Sequence, residues 1–297
     1  TLGVRNCVLC GFGRLHLDAY ILIQYNPVDS AKHIFMSFQD RCGSLRQQQR
    51  KPSRRYCNSF LGSNHARRLR VEELEDRRLL AVLIVQNDLD DSLVNLAGDG
   101  ELSLREAIHV ANNPGSTIDG YTSNDDDDTI RFSAGLSNSV IGLVAGELEI
   151  IEALAIDASN LRANVSIDAQ HGSRVLNYTA SSGDLTLKNI AVKGGYTSGD
   201  NSSDPIPILE STYSGAGIRF LSDGILTLVD CKIHRNSALA TYVYGGGIFA
   251  DSGTVALIDS AVSENIASGS FSLGGGIFAN SGLVNAINST LNENTSV

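Results

Sequence analysis

The sequence contains no tryptophan, a single methionine and aromatic residues at only 6% of its length. With 29 glycines and abundant Asn, Ser and Thr, this poverty argues against a helical globule. It suits short strands joined by turns. No apolar run reaches 18 residues, so no helix of the usual kind spans a membrane. Cysteines are scarce where they would matter. Cys7, Cys10, Cys42 and Cys57 lie in the first 60 residues, and the rest of the chain has only Cys231. No disulfide can form within that larger part. Cys7-x-x-Cys10 is followed by neither a second CxxC nor paired histidines, and no βαβ pattern surrounds it, so zinc and redox readings lack support. Basic residues run out early. Residues 1–80 carry 14 Lys and Arg against 7 Asp and Glu, a balance of +7; residues 81–297 carry 9 against 26, a balance of −17. An acidic body lacks the basic footprint that nucleic acid requires.

What is present is repetition. Gly245-Gly246-Gly247-Ile248-Phe249-Ala250 returns 29 positions later as Gly274-Gly275-Gly276-Ile277-Phe278-Ala279, and a looser copy, Gly215-Ala216-Gly217, lies 30 positions upstream. Behind each copy runs a second shared string: Leu226–Asn236, Val255–Asn265 and Val284–Asn294. A fixed period in this range marks stacked coils. Aligning the copies yields three aliphatic columns: Leu226, Val255, Val284; Leu228, Leu257, Ala286; and Ile233, Val262, Leu291. They alternate with small or polar residues, as half-buried strands do. A fourth column is Asn236, Asn265, Asn294, suited to an amide ladder. A fifth, Asp230, Asp259, Asn288, reads as turn chemistry. The glycine triplets read as coil corners. Residues 194–215, 238–244 and 267–273 read as loops outside the coils, the first with Asp204-Pro205-Ile206-Pro207. The expected fold is all-β: a parallel β-helix, right-handed by the crossover rule, with a short N-terminal capping helix.

That helix is expected over about 104–112. Ser103 and Glu106 form a capping box. Leu104, Ala107, Ile108 and Ala111 make one apolar stripe, and Asn112-Asn113-Pro114 ends it. Its greasy face suits the cap that an array of stacked coils needs. The acidic block Asn124–Asp128 reads as a solvated loop; the alternative is a weak calcium site on Asp125, Asp126, Asp127 and Asp128. No other cofactor is expected.

The chain divides into a basic leader (1–80), a cap with its acidic loop (81–129) and coils (130–297). Because the only methionine is Met36, residues 1–35 read as upstream translation. Val297 falls just after an Asn-column position, which reads as an N-terminal piece of a longer protein.

Three stretches carry a resemblance. Val71–Ala81, VEELEDRRLLA, resembles the sorting segment ahead of large bacterial surface proteins. Ser103-Leu104-Arg105-Glu106-Ala107 resembles the CSLREA-type segment that precedes β-helical repeats, with Leu102 in place of its cysteine. The glycine–strand repeat resembles polymorphic outer-membrane-type proteins and adhesins. Together they imply export, a surface or outer-membrane location, and an adhesive role toward a glycan or protein ligand. Many β-helices are instead polysaccharide lyases or hydrolases, which is the alternative. Against it, Asp230 and Asp259 belong to a repeating column, Lys232 and Arg235 become Ala261 and Glu264 one repeat on, and His171 and His234 lack partners at any diagnostic spacing. No catalytic residue is assigned.

Overall fold

A computed structural model describes residues 82–123, 128–200 and 212–297. The leader, Asp125 to Asp127 and the Asp204–Pro207 stretch lie outside the described residues. The described part is a parallel β-solenoid whose strands recur in fixed order on three main sheets of seven, six and five strands. One representative coil runs through Ile225–Val229 on the first sheet, Lys232–His234 on the second and Ile248–Asp251 on the third. The next coil repeats it at Thr254–Ile258, Ala261–Ser263 and Ile277–Asn280.

Each aliphatic column stacks residue on residue. On the first sheet Leu226 pairs with Val255 and Val255 with Val284; Leu228 pairs with Leu257 and Leu257 with Ala286. The latter column extends upward through Leu187, Ile156 and Ile130 to Leu83. On the second sheet Ile141, Ile167, Val192, Ile233, Val262 and Leu291 stack likewise. Apolar side chains point inward at every second position, which is the strand period. Each fully buried one contributes roughly 1.5–3 kcal/mol.

Corners are made by residues that tolerate left-handed backbone. Asn189, Asp230, Asp259 and Asn288 follow the first sheet with φ of 57°, 53°, 50° and 50°. Asn and Asp are the side chains least penalised there. Gly245 and Gly274, the first of each triplet, take φ of 66°. The third glycine meets a different demand. A Cβ on Gly247 would stand 2.7 Å from the Gly276 carbonyl oxygen and 2.9 Å from the Asn265 amide. The triplet therefore combines a left-handed corner with close backbone approach.

A second polar column lies beside the first-sheet corner. The Cys231 N–H donates to Ser260 Oγ at 3.0 Å and the Ser260 N–H to Ser289 Oγ at 3.1 Å. Ser260 Oγ donates to the Ile258 carbonyl, and Cys231 Sγ lies 3.3 Å from the Val229 carbonyl in the equivalent place. Cys231 is thus a serine position occupied by a thiol. Burial pushes that thiol up to about 12, so it stays protonated and unreactive. Peptide mapping after alkylation should show residue 231 modified only in denatured protein. Cys231→Ser should change the unfolding free energy by less than about 1 kcal/mol, because it restores the column's own hydrogen-bonding group.

The structure corrects the loop reading. Residues 238–244 and 267–273 are largely strands, as is Tyr196–Gly199 in the first of the three segments. Between the second and third sheets the chain juts out as an arch: Ser237–Ala240, then Tyr242–Tyr244. The next coil does the same with Ile266–Ser268 and Phe271–Leu273, and the arches pair in parallel. They have a core of their own, formed by Ala216, Ala238, Ala240, Val243 and Ala267. The repeated phenylalanine explains their outer packing. Phe249 and Phe278 alternate outward from the third sheet, yet Phe249 is only 1% exposed. Their rings stack at 6.0 Å, and Tyr244 of the arch packs on Phe278 at 4.9 Å. Offset rings at such distances add about 0.5–1.5 kcal/mol per pair beyond burial.

Among the described residues, two α-helices precede the coils: α1 (Leu93–Leu96) and α2 (Leu104–Asn112). At the start of α2, Ser103 Oγ accepts from the Glu106 N–H and Glu106 Oε2 accepts from the Ser103 N–H. Leu104, Ala107, Ile108 and Ala111 are buried. Leu102, in the place of the motif's cysteine, is fully buried and exchanges hydrogen bonds with Gln86. Before the helices, Val82–Val85 pairs in parallel with Asp128–Phe132, so it belongs to the first sheet.

Candidate functional site

The arches turn one side of the solenoid into an axial groove. Its wall is the outer face of the first arch strands, where Tyr196, Ser237, Ile266 and Thr295 stack in register over four successive coils. Two cavities lie along it, of about 540 Å³ and about 450 Å³, and His171 lines both. Tyr196, Ser198 and Tyr213 line the larger; Ser237, Ile266 and Thr295 line the smaller.

The groove's base is held by Arg174, which is 5% exposed. Its Nη1 donates to Glu147 Oε2 at 2.7 Å, and Nε donates to the Gly215 carbonyl at 3.1 Å. Its second Nη donates to the Thr212 and Ser214 carbonyls. Asn177 Nδ2 completes the set by donating to Glu147 Oε1 at 3.0 Å. Burial lowers the guanidinium to about 10 despite the favourable Glu147 carboxylate. Arg174 is thus an anchor that fastens residues 212–215, just ahead of the strand Ile218–Leu221. Arg174→Met leaves three carbonyls without their donor and Glu147 with only Asn177, and should cost about 1–3 kcal/mol by chemical denaturation, since the Glu147 side chain is 35% exposed and water can reach it. Glu147→Gln, which keeps an acceptor in place, should cost less.

The second charged pair, Arg235 with Glu264 at 2.8 Å, is exposed. Both residues occupy a left-handed corner column continued by Glu293, with φ of 56°, 55° and 56°. Directly behind it runs the amide ladder. Asn236 Nδ2 donates to Asn265 Oδ1 and Asn265 Nδ2 to Asn294 Oδ1, both at 2.9 Å. The top rung is closed by the Gly195 N–H donating to Asn236 Oδ1. Gly246 and Gly275, the middle glycines of the triplets, lie where a Cβ would strike backbone of the first arch strand, Ile266 and Thr295 respectively.

Other residues singled out in the sequence are not brought together. Lys232 is exposed on the second sheet, and His234 beside it is half-buried. Burial, then the neighbouring Arg235 and Lys193, hold His234 below its ordinary range. Lys193 pairs with Asp168 at 3.2 Å and Lys188 with Asp157 at 3.6 Å. Burial would raise Asp157, but Ser159 hydrogen bonds and then Lys188 and Arg131 outweigh it and hold the carboxyl low. Of the acidic block, Asp128 is described. It opens the strand Asp128–Phe132, is 2% exposed and stacks on Leu154. Among the described residues no group of three or more His, Cys, Asp or Glu is placed to hold a metal ion. No described helix is long and apolar enough to cross a membrane.

Sequence reasoning missed the groove because it missed the arches. A signal was present: alanines at 238 and 267 recur at the repeat distance, in register. Their aromatic partners differ between coils, Tyr242 against Phe271 and Tyr244 against Leu273, which made the segment look variable. Comparison with family models, curated proteins and solved structures gives no match.

Proposed function

We propose that this chain is a binding β-solenoid, exported to the surface or outer membrane of a bacterium, which receives an extended ligand along the arch-walled groove. The observation that carries the reading is the state of the groove's two arginines and of the carboxylates they hold. Arg174 is saturated by Glu147 and carbonyl oxygens, and Arg235 is paired with Glu264. Catalysis by general acid and base asks for groups poised to exchange protons with a substrate. These are instead engaged in holding coils and arches in place. Support for export comes from the Val71–Ala81 resemblance, and support for an adhesive role from the repeat's resemblance to surface adhesins.

The test is to incubate the purified chain with panels of glycans and extracellular proteins while recording both binding and turnover. Saturable binding without new reducing or unsaturated ends is expected. Turnover abolished by Lys232→Ala or Arg235→Ala would overturn the reading in favour of a carbohydrate-active enzyme. Fractionation of the source cell tests the location, with the chain expected in the surface or secreted fraction; a purely cytoplasmic chain would contradict export.

A further inference from the structure

We infer that the groove's ligand is an extended, uncharged, hydroxyl-rich chain, in chemical terms a neutral polysaccharide strand. This rests on the groove being the binding site. Length comes first. The groove runs from His171 through Tyr196, Ser237 and Ile266 to Thr295, one residue on each of five successive coils. At about 4.8 Å per coil it is about 20 Å long. A linear polymer fits that shape, whereas a single small molecule would occupy one coil or two.

Charge comes second. A polyanion needs cationic side chains able to pair with it and a favourable surrounding field. Arg174 is buried and fully engaged, and Arg235 holds Glu264 at 2.8 Å. Glu293 adds a further carboxylate to the wall. The chain beyond residue 80 carries −17, so the wider field repels anions. A polycation finds Glu147 and Glu264 already paired with arginines, which leaves Glu293 alone among the lining carboxylates to meet it, where a run of cations needs a row of them.

The remaining lining comes third. Tyr196, Ser198, Tyr213, Ser237 and Thr295 bring hydroxyls to the groove. A hydroxyl both donates and accepts, which matches a partner made of hydroxyls. Tyr196 is half-buried and joins an apolar ring face to a polar tip, suited to a ring with one face of C–H bonds and a rim of hydroxyls; Tyr213, also half-buried, packs against the arch core beside it. A polyol exchanges its hydrogen bonds to water for equivalent ones here without a charge to desolvate.

The experiment titrates the full chain with soluble neutral glycans (a β-glucan, a mannan, a dextran) and with polygalacturonate, alginate and heparin, at low and raised salt. Expected is saturable binding of at least one neutral glycan, unchanged by salt, weakened about tenfold by Tyr196→Ala and abolished by the groove-filling Ser237→Trp. Lys232→Ala, outside the groove, serves as the control and should bind as the parent does. Circular dichroism of each variant checks that the coils persist. Salt-sensitive binding of a polyanion that Ser237→Trp abolishes would overturn the ligand class while keeping the groove as the site. Neutral-glycan binding indifferent to Ser237→Trp would overturn the groove itself. Failure of every glycan, with a protein bound in the groove, would overturn this inference but not the binding reading.

Discussion

Asn265→Ala should lower the unfolding free energy by about 3–5 kcal/mol, because several fully buried groups lose their partner at once and each costs about 1–3 kcal/mol. The Asn265 amide donates to the Ile233 carbonyl and to Asn294 Oδ1. Its own Oδ1 accepts from both the N–H and the Nδ2 of Asn236. Asn236 and Asn265 are fully buried, so water cannot replace the lost bonds without entering the coil. Asn265→Asp keeps the shape but removes both donations and sets a carboxylate against a carbonyl oxygen, and should cost more. Asn294→Ala, at the half-buried lower rung, should cost less. Urea unfolding followed by circular dichroism would rank the three. Coils are coupled chiefly to their neighbours, so hydrogen exchange should quicken first in the coils around the substitution. Equal losses at Asn265 and Asn294 would mean that the ladder is decoration on coils held by their aliphatic columns alone.

Arg105→Met should detach the cap from the first coil, at a cost of about 3–5 kcal/mol for stranding a buried carboxylate. Arg105 Nε and Nη2 form a bidentate pair with Asp90 at 2.6 and 3.1 Å, and the Asp90 side chain is 1% exposed. The same guanidinium donates to the Gly146 and Glu147 carbonyls, while Asp90 also accepts from the Val144 and Ala145 N–H groups. One side chain of α2 therefore reaches the loop just before the Leu148–Ile150 strand. Losing it uncovers the apolar stripe of α2 and the coil ends beneath, and the variant should elute as larger species in size-exclusion chromatography. Asp90→Asn in the Arg105→Met background should recover part of the loss, since it removes the stranded charge yet keeps an acceptor for Val144 and Ala145. If Arg105→Met stays monomeric and as stable as the parent, the cap is held by its apolar face alone.

How far the sequence reached follows from what a repeat preserves. Leu226, Val255 and Val284 were legible as one column because stacking like on like demands similar side chains at one phase of the coil. Asn236, Asn265 and Asn294 were legible for a stricter reason: an amide accepts from the rung above through its oxygen while its two N–H groups donate both to the rung below and to a carbonyl, a capacity a single hydroxyl proton lacks. The α2 boundaries were legible because Ser103, Glu106 and Asn113 mark both ends chemically. The arches escaped because their core is made mostly of alanines, which carry little pattern, and their outer rings need only be large and flat. The Cys231–Ser260–Ser289 column escaped because a thiol and a hydroxyl look unrelated until both are seen beside equivalent carbonyls. Arg174 and Glu147 escaped altogether. They are 27 residues apart, belong to no repeat, and meet only because the coils bring sequence-distant corners together.

The in-register stacking of coils at the 29-residue period is tested most directly by engineered cross-strand disulfides. In a background with all five cysteines replaced by serine, Ala256→Cys with Asn285→Cys places thiols on outward, paired positions of adjacent strands. Parallel neighbours stand about 4.8 Å apart, within the Cα separation that a disulfide accepts. Thr227→Cys with Asn285→Cys spans two strands, at about twice that distance, beyond disulfide reach. Mild oxidation followed by peptide mapping should give an intramolecular 256–285 bond in native protein and none between 227 and 285. A 227–285 bond, or failure of the 256–285 pair in soluble folded protein, would contradict the register on which the ladder, the arches and the groove all depend.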